Sequence, residues 1–276
     1  MSKSTKVFIV EGESRDFRLI NHLIETFFVG KYNATVIPLS ANQNLYMLFQ
    51  LMDKTDFEMD LIEVVRDNVE GADEKLKGIM RNNVDEIFLF FDFDLQQNNL
   101  SSSLNRSPLD ILKEMVQFFD NETENGKLFL SYPMVEANYD FIINDCEAFS
   151  KCVIPIDNLS DYKSLAGKNN PVASCHFGYE EWKMCLESFN KRVLCLFRES
   201  CMNYEDYRKK VSTMSILAKQ IEHVNQNNNV FVLGSYPQFL FEYFNESFWK
   251  AHFTFKNEKS KSCQSRKALN LQIAPQ

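Results

Sequence analysis

The chain has 276 residues, of which 45% are hydrophobic and 25% are charged, and its formal net charge is −8. This balance is typical of a globular protein and excludes a disordered chain, while the negative charge excludes nucleic-acid binding driven by overall charge. No apolar run approaches the roughly 20 residues that cross a bilayer, so we expect a cytoplasmic protein without a membrane partner. Seven scattered cysteines and four histidines, without a Cys-x-x-Cys pair, argue against a zinc site.

Apolar runs alternate with helical spacing along the first 137 residues. The predicted strands are 6–10, 34–39, 87–91 and 127–131, and the main predicted helices are 15–29, 44–52, 60–69, 72–80 and 108–119. The run at 87–91 is apolar at every position, which indicates a strand covered on both faces. Alternation of strand and helix predicts an α/β fold with a mostly parallel, Rossmann-like sheet flanked by helices.

The sequence changes character after residue 137. Helical spacing recurs in 138–152, 179–199 and 204–225, with a loop predicted at 158–173. We therefore predict a core of residues 1–137, a mainly helical appendage of residues 138–255 and a basic, flexible tail of residues 256–276. The apolar run at 230–233 is predicted to be a late strand that returns to the edge of the sheet.

Acidic residues follow three of the predicted strands. Glu11 follows the first strand, Asp92 and Asp94 follow the third, and Glu136 comes shortly after the fourth. Ligands of parallel sheets bind at the carboxyl ends of the strands, where Asp92 and Asp94 can share a hard cation such as Mg²⁺ or Mn²⁺. A single acid at such a place more often caps the next helix, and for Glu136 that interpretation is as good as a metal ligand. The predicted metal site therefore depends on the joint pattern.

Residues 10–14 (Val-Glu-Gly-Glu-Ser) and 90–94 (Phe-Phe-Asp-Phe-Asp) resemble the Toprim fold, in which one strand ends in Glu-Gly and a later strand in Asp-x-Asp. The resemblance covers about the first half of the chain. The narrower likeness is to the OLD-type and AriB-like nucleases of antiphage defence. It implies that Asp92 and Asp94 are metal ligands and that Glu11 is a ligand or a general base.

Two departures from the family pattern narrow the resemblance. The acid often found four residues after the motif Glu is displaced, because Arg15 stands there and Asp16 follows, which leaves Asp16 a doubtful ligand. Asp94 is followed by residues 95–98 (Leu-Gln-Gln-Asn) rather than by an acid-glycine ending. The second departure argues against a topoisomerase or a primase.

The resemblance implies a Mg²⁺-dependent or Mn²⁺-dependent endonuclease that hydrolyses DNA or RNA, including tRNA. Arg15, Lys163 and Lys168 are weak candidates for phosphate contacts, because residues of this kind are more often ordinary surface residues. Residues 166–169 (Ala-Gly-Lys-Asn) are no Walker A loop, so the ATPase that works with OLD-type nucleases would be a separate polypeptide. The chain would then be an antiphage effector that this ATPase restrains. Homodimerisation is a further expectation, without a specific supporting contact.

Three alternatives stay open. A haloacid-dehalogenase-like phosphatase favours a small hydroxyl residue after Asp-x-Asp, where this chain has Leu95. A glycosyltransferase could bind a metal-nucleotide sugar with Asp92 and Asp94 and would not need Glu11. The third alternative is a non-catalytic Toprim-like module that binds a partner through its helical half, for which the 25 phenylalanines offer apolar surface.

Overall fold

The computed structural model describes residues 4–40, 44–93, 107–140, 152–169 and 177–252. In these parts of the chain the strands are β1 (Thr5–Val10), β2 (Asn33–Pro38), β3 (Glu86–Asp92), β4 (Asp120–Asn121), β5 (Gly126–Ser131), β6 (Val153–Pro155) and β7 (Asn229–Phe231). The helices are α1 (Arg15–Phe27), α2 (Leu45–Asp53), α3 (Leu61–Asn68), α4 (Ala72–Lys75), α5 (Pro108–Phe118), α6 (Leu159–Asn169), α7 (Tyr179–Phe197), α8 (Tyr204–Lys210), α9 (Thr213–Asn227), α10 (Ser235–Tyr243) and α11 (Glu246–His252). The predicted basic tail lies outside the described residues.

The main sheet has the strand order β2-β1-β3-β5-β4. Neighbours among β2, β1, β3 and β5 are parallel, and the short β4 is antiparallel to β5. The four strands predicted from apolar runs agree with these four parallel strands to within one residue at each end. The chain therefore has the predicted α/β fold with a mostly parallel, Rossmann-like sheet flanked by helices, and its Toprim identity stays a prediction.

Helix α10 covers one face of this sheet with an aromatic cluster. The ring centroid of Phe239 lies 6.1 Å from that of Phe8 in β1, 4.8 Å from Phe88 and 5.5 Å from Phe90 in β3, and 5.6 Å from Phe129 in β5. Spacings of this size are those of packed aromatic pairs. The predicted appendage thus shares a hydrophobic core with the predicted unit 1–137, and the boundary between the two stays a prediction.

Two predictions for the second half of the chain are wrong. The loop predicted at 158–173 is helix α6 over Leu159–Asn169, because Leu159, Tyr162 and Ala166 form a buried stripe at helical spacing. The run at 230–233 does not join the main sheet as a strand, since β7 pairs antiparallel with β6 in a separate sheet. An isolated bridge between Tyr132 and Leu233 connects this run to the residue that follows β5.

None of the helices in the described part of the chain is long and apolar enough to cross a membrane.

Candidate active site

A pocket of about 530 Å³ opens beyond the carboxyl ends of β1, β3 and β5. Its position agrees with the general location of ligand sites in open parallel sheets. The pocket is lined by five of the residues predicted for the site, namely Glu11, Asp92, Glu136, Arg15 and Lys163. Asp94 lies outside the described residues. Lys168 belongs to α6, but its side chain lies outside the described part.

Glu11 and Asp92 are brought together by the parallel pairing of β1 and β3. Val10 is paired with Phe90, and the Glu11 amide donates to the Phe90 carbonyl oxygen at 3.2 Å. The Asp92 amide in turn donates to Oε2 of Glu11 at 2.8 Å. A carboxylate that accepts a backbone N–H is held in one position. The fold therefore places these two acids next to each other at neighbouring strand ends, as the sequence predicts.

Asp16, which the sequence left as a doubtful ligand, also lines the pocket. Its side chain is buried, and the Tyr236 hydroxyl donates to its Oδ1 at 3.2 Å. Burial raises the pKa of Asp16 to about 7, although the Tyr236 hydrogen bond and the charges of Arg15 and Lys163 oppose the shift. The raised pKa means that this carboxyl binds a proton more tightly than an exposed aspartate does.

A signal for Asp16 was present in the sequence. Asp16 precedes Leu19, Ile20 and Leu23 by three, four and seven residues, which is the spacing of the buried stripe of α1. An acid within such a stripe points to a buried, functional or paired carboxyl. Tyr236, the hydrogen-bond partner of Asp16, belongs to α10, far along the chain. No local sequence pattern predicts this contact.

Gly12 leaves room for the Asp16 carboxylate. A Cβ atom at Gly12 would lie 2.8 Å from Oδ2 of Asp16, which is closer than ordinary contact. The Glu-Gly pair of the opening motif therefore has two separate uses in this structure. Glu11 supplies an acid, and Gly12 allows a second acid from α1 to approach the same pocket.

Glu136 and Arg15 form an ion pair at the pocket wall. Glu136 belongs to a 3-10 helix over Val135–Asn138, and Arg15 is the first residue of α1. The guanidinium of Arg15 also lies 5.8 Å from the ring centroid of Tyr139. The predicted metal ligand Glu136 and the predicted phosphate contact Arg15 are therefore partners of each other.

A divalent metal would meet suitable donor chemistry here. The titratable acceptors lining the pocket are carboxylates, and hard cations such as Mg²⁺ and Mn²⁺ prefer oxygen ligands. Within the described ranges, however, no three Asp, Glu, His or Cys side chains are grouped so that they could hold an ion. Glu11 and Asp92 are the described residues that would hold it, and the predicted third ligand, Asp94, lies outside those ranges.

No family model, curated protein or solved structure matches the chain. A functional assignment therefore depends on the pocket and its side chains.

Proposed function

We propose that the chain is a metal-dependent nuclease of the Toprim type, which hydrolyses phosphodiester bonds in the pocket at the carboxyl end of the sheet. The observation that carries the proposal is the placement of Glu11 and Asp92 at adjoining strand ends. Arg15 and Lys163 line the same pocket and provide positive charge for a phosphate group. In metal-assisted phosphodiester hydrolysis the metal polarises the phosphate and activates a water, and nearby cations help to bind the phosphate.

The proposed roles follow from the surroundings of each side chain. Glu11 and Asp92, with Asp94 as a further proposed ligand, would hold Mg²⁺ or Mn²⁺, which supplies a polarised phosphate and an activated water. Glu11 keeps its carboxylate in place by accepting the Asp92 amide. Asp16 lines the same pocket and burial raises its pKa, so it is our proposed proton donor to the leaving oxygen.

The biological setting is proposed from the sequence resemblance alone. The nuclease would be an antiphage effector of abortive infection, and a separate OLD-type ATPase would hold it inactive until infection. Affinity purification of the full chain from its native host tests this proposal. We expect an ATPase to copurify, and its absence from the purified material would count against the restrained-effector model.

Cleavage assays with matched variants test the nuclease proposal. Wild type and Asp92→Ala would be incubated with plasmid, single-stranded DNA and total tRNA in Mg²⁺, in Mn²⁺ and in chelator. Asp85→Ala is the control, because Asp85 bonds to Ser4 and Thr5 at the opposite end of the sheet. We expect metal-dependent cleavage of one substrate class by wild type and Asp85→Ala only. Equal cleavage by Asp92→Ala would rule out the proposed site.

A second candidate function is the non-catalytic interaction module. It is favoured by one observation, that no group of three ligating side chains occurs within the described ranges. Such a module would bind neither Mg²⁺ nor Mn²⁺ in calorimetric titration. The phosphatase and glycosyltransferase alternatives both use a metal at Asp92, and a Glu11→Ala variant that keeps full activity would favour the glycosyltransferase over the nuclease.

A further inference from the structure

The ion pair between Arg15 and Glu136 joins a buried acid to a cation that reaches the pocket. The side chain of Glu136 is 2% exposed, whereas that of Arg15 is 35% exposed. A buried carboxylate without a counter-charge is costly, and Arg15 supplies that counter-charge to Glu136. The pair engages Nη1 of Arg15, and a guanidinium has five N–H donors in a rigid fork.

We propose that Glu136 is a positioning residue that holds Arg15 in the pocket to bind a phosphate of the substrate, and that Glu136 is not a metal ligand. This inference rests on the proposed phosphodiester substrate. It replaces the metal-ligand role that strand-end geometry alone predicts for Glu136, because the acid is already matched by a cation. Arg15 becomes the phosphate-binding residue of the pocket, because the planar guanidinium of arginine can donate two hydrogen bonds to one phosphate.

The backbone that carries Glu136 is fixed by a buried network. Asn138 donates through Nδ2 to Oγ of Ser131 at 3.2 Å and to the carbonyl of Val135 at 2.9 Å. Its Oδ1 accepts the amide of Tyr236 at 3.0 Å. These bonds tie the 3-10 helix to β5 and to α10. A rigid support of this kind is what a positioning carboxylate requires.

The direction in which Glu136→Gln changes the binding of a polyanion distinguishes a positioning role of Glu136 from a purely electrostatic one. Glu11, Asp16 and Asp92 already place acids around the pocket, and Glu136 adds another. If Glu136 acted only through its charge, Glu136→Gln would remove a repulsion and strengthen the binding of a polyanion. If Glu136 positions Arg15, the same substitution releases the guanidinium and weakens binding. The two mechanisms therefore predict opposite shifts.

Binding of a short, 5′-fluorescein-labelled oligothymidylate, followed by fluorescence anisotropy in chelator, tests the proposal on the full chain. We expect Arg15→Gln to raise Kd about tenfold, the usual effect of losing one charge-assisted hydrogen bond. Glu136→Gln should raise Kd in the same direction, and the double variant should bind no more weakly than Arg15→Gln. Glu180→Gln, an exposed acid on α7, is the matched control and should bind like wild type.

A second readout covers folding and the metal. If Glu136→Gln does not fold, two other variants replace it. One is the double variant, in which both positions carry an uncharged amide, and the other is Arg15→Lys. Both should bind the oligonucleotide more weakly than wild type. Mn²⁺ affinity by calorimetry should be unchanged in the Glu136 variants that fold. Stronger or unchanged oligonucleotide binding by Glu136→Gln, additive single effects, or loss of Mn²⁺ binding would each overturn the proposal.

The nuclease proposal and the positioning proposal fail in different ways. Wild type that binds the oligonucleotide but cleaves no nucleic acid with Mg²⁺ or Mn²⁺ contradicts the nuclease function and leaves the Arg15 contact standing. Wild type that does not bind the oligonucleotide overturns the Arg15 assignment, whatever its cleavage activity.

Discussion

At the amino end of the sheet, Lys6 of β1 and Glu86 of β3 form an ion pair, whereas at the carboxyl end the same two strands lead into two acids, Glu11 and Asp92. Lys6 is buried, and its Nζ lies 4.2 Å from the ring centroid of Tyr32. Lys6 and Glu86 thus compensate each other's charge. At the carboxyl end, several acids instead line one pocket together with Arg15 and Lys163, and acids brought this close cost stability unless cations compensate them.

The difference teaches how charged residues on one pair of strands divide between stability and function. A paired charge in a buried position supports the fold, and its removal should affect folding alone. Carboxylates that share a pocket contribute little to folding and are suited to bind a cation. Glu11 and Glu86 provide the same residue type at opposite ends of adjacent strands, so one substitution made at both positions tests the division.

The largest expected effect is on activity. Glu11→Gln should lower the cleavage rate by at least ~100-fold, the lower range for loss of an acid or base in catalysis, because the amide is a poor metal ligand and no base. Glu86→Gln should cleave at a rate close to wild type at a temperature where it is folded. Both rates would be measured on the substrate that wild type cuts. Similar losses of cleavage rate in Glu11→Gln and Glu86→Gln would show that the two ends of the sheet do not differ in function.

The next effect is on stability and has the opposite pattern. Glu86→Gln should lower the free energy of unfolding by about 3 kcal/mol, because it leaves Lys6 buried without a counter-charge. Urea denaturation measures this change, with Glu11→Gln as the comparison, for which we expect a smaller loss. A Glu86→Gln variant as stable as wild type would show that the amino-end pair does not support the fold.

Asp16 should make stability depend on pH in the direction of a raised pKa. Its pKa is about 7 in the folded chain and 3.8 as the ordinary value, so the folded state holds the proton more tightly. The free energy of unfolding should fall as the pH rises from about 4 to about 7, by at most ~1.4 kcal/mol per pH unit, and then level off. Asp16→Asn should flatten that slope in urea denaturation with chelator present. If the pH dependence of the unfolding free energy were unchanged in Asp16→Asn, a group other than Asp16 would be responsible for it.

The smallest effect compares two buried tyrosines. Tyr236→Phe should cost ~1 kcal/mol at pH 8, because Asp16 loses the hydroxyl that donates to it, and less at pH 4, where the carboxyl is protonated. Tyr132→Phe is the control, since among the described residues no hydrogen-bond partner meets the Tyr132 hydroxyl. That variant should be at least as stable as wild type. Equal losses in both would show that the bond to Asp16 contributes nothing.

The sequence predicts the parallel sheet well because each strand is specified locally. Unbroken apolar runs mark β1 and β3, which are buried on both faces, and their ends place Glu11 and Asp92. Strand β4 has two residues and depends on pairing with β5, so no pattern predicts it. The pairing of β7 with β6 likewise depends on contacts between segments far apart in the chain.

The site was predicted in part for the same reason. Acids at strand ends are visible in the sequence, whereas the environment of Asp16 depends on Tyr236, which lies 220 residues away. The ion pair of Arg15 and Glu136 joins α1 to a segment beyond β5, and their separate positions give no sign of it. Contacts between residues far apart in the chain thus determine the surroundings of the predicted site residues.

Calorimetric titration of wild type and Asp92→Asn with Mn²⁺ tests the central claim most directly. If the carboxyl-end acids are a metal site, wild type should bind Mn²⁺ with a saturable heat, and Asp92→Asn should lose that binding while remaining folded. No binding by wild type, or equal binding by the variant, would contradict the proposed site.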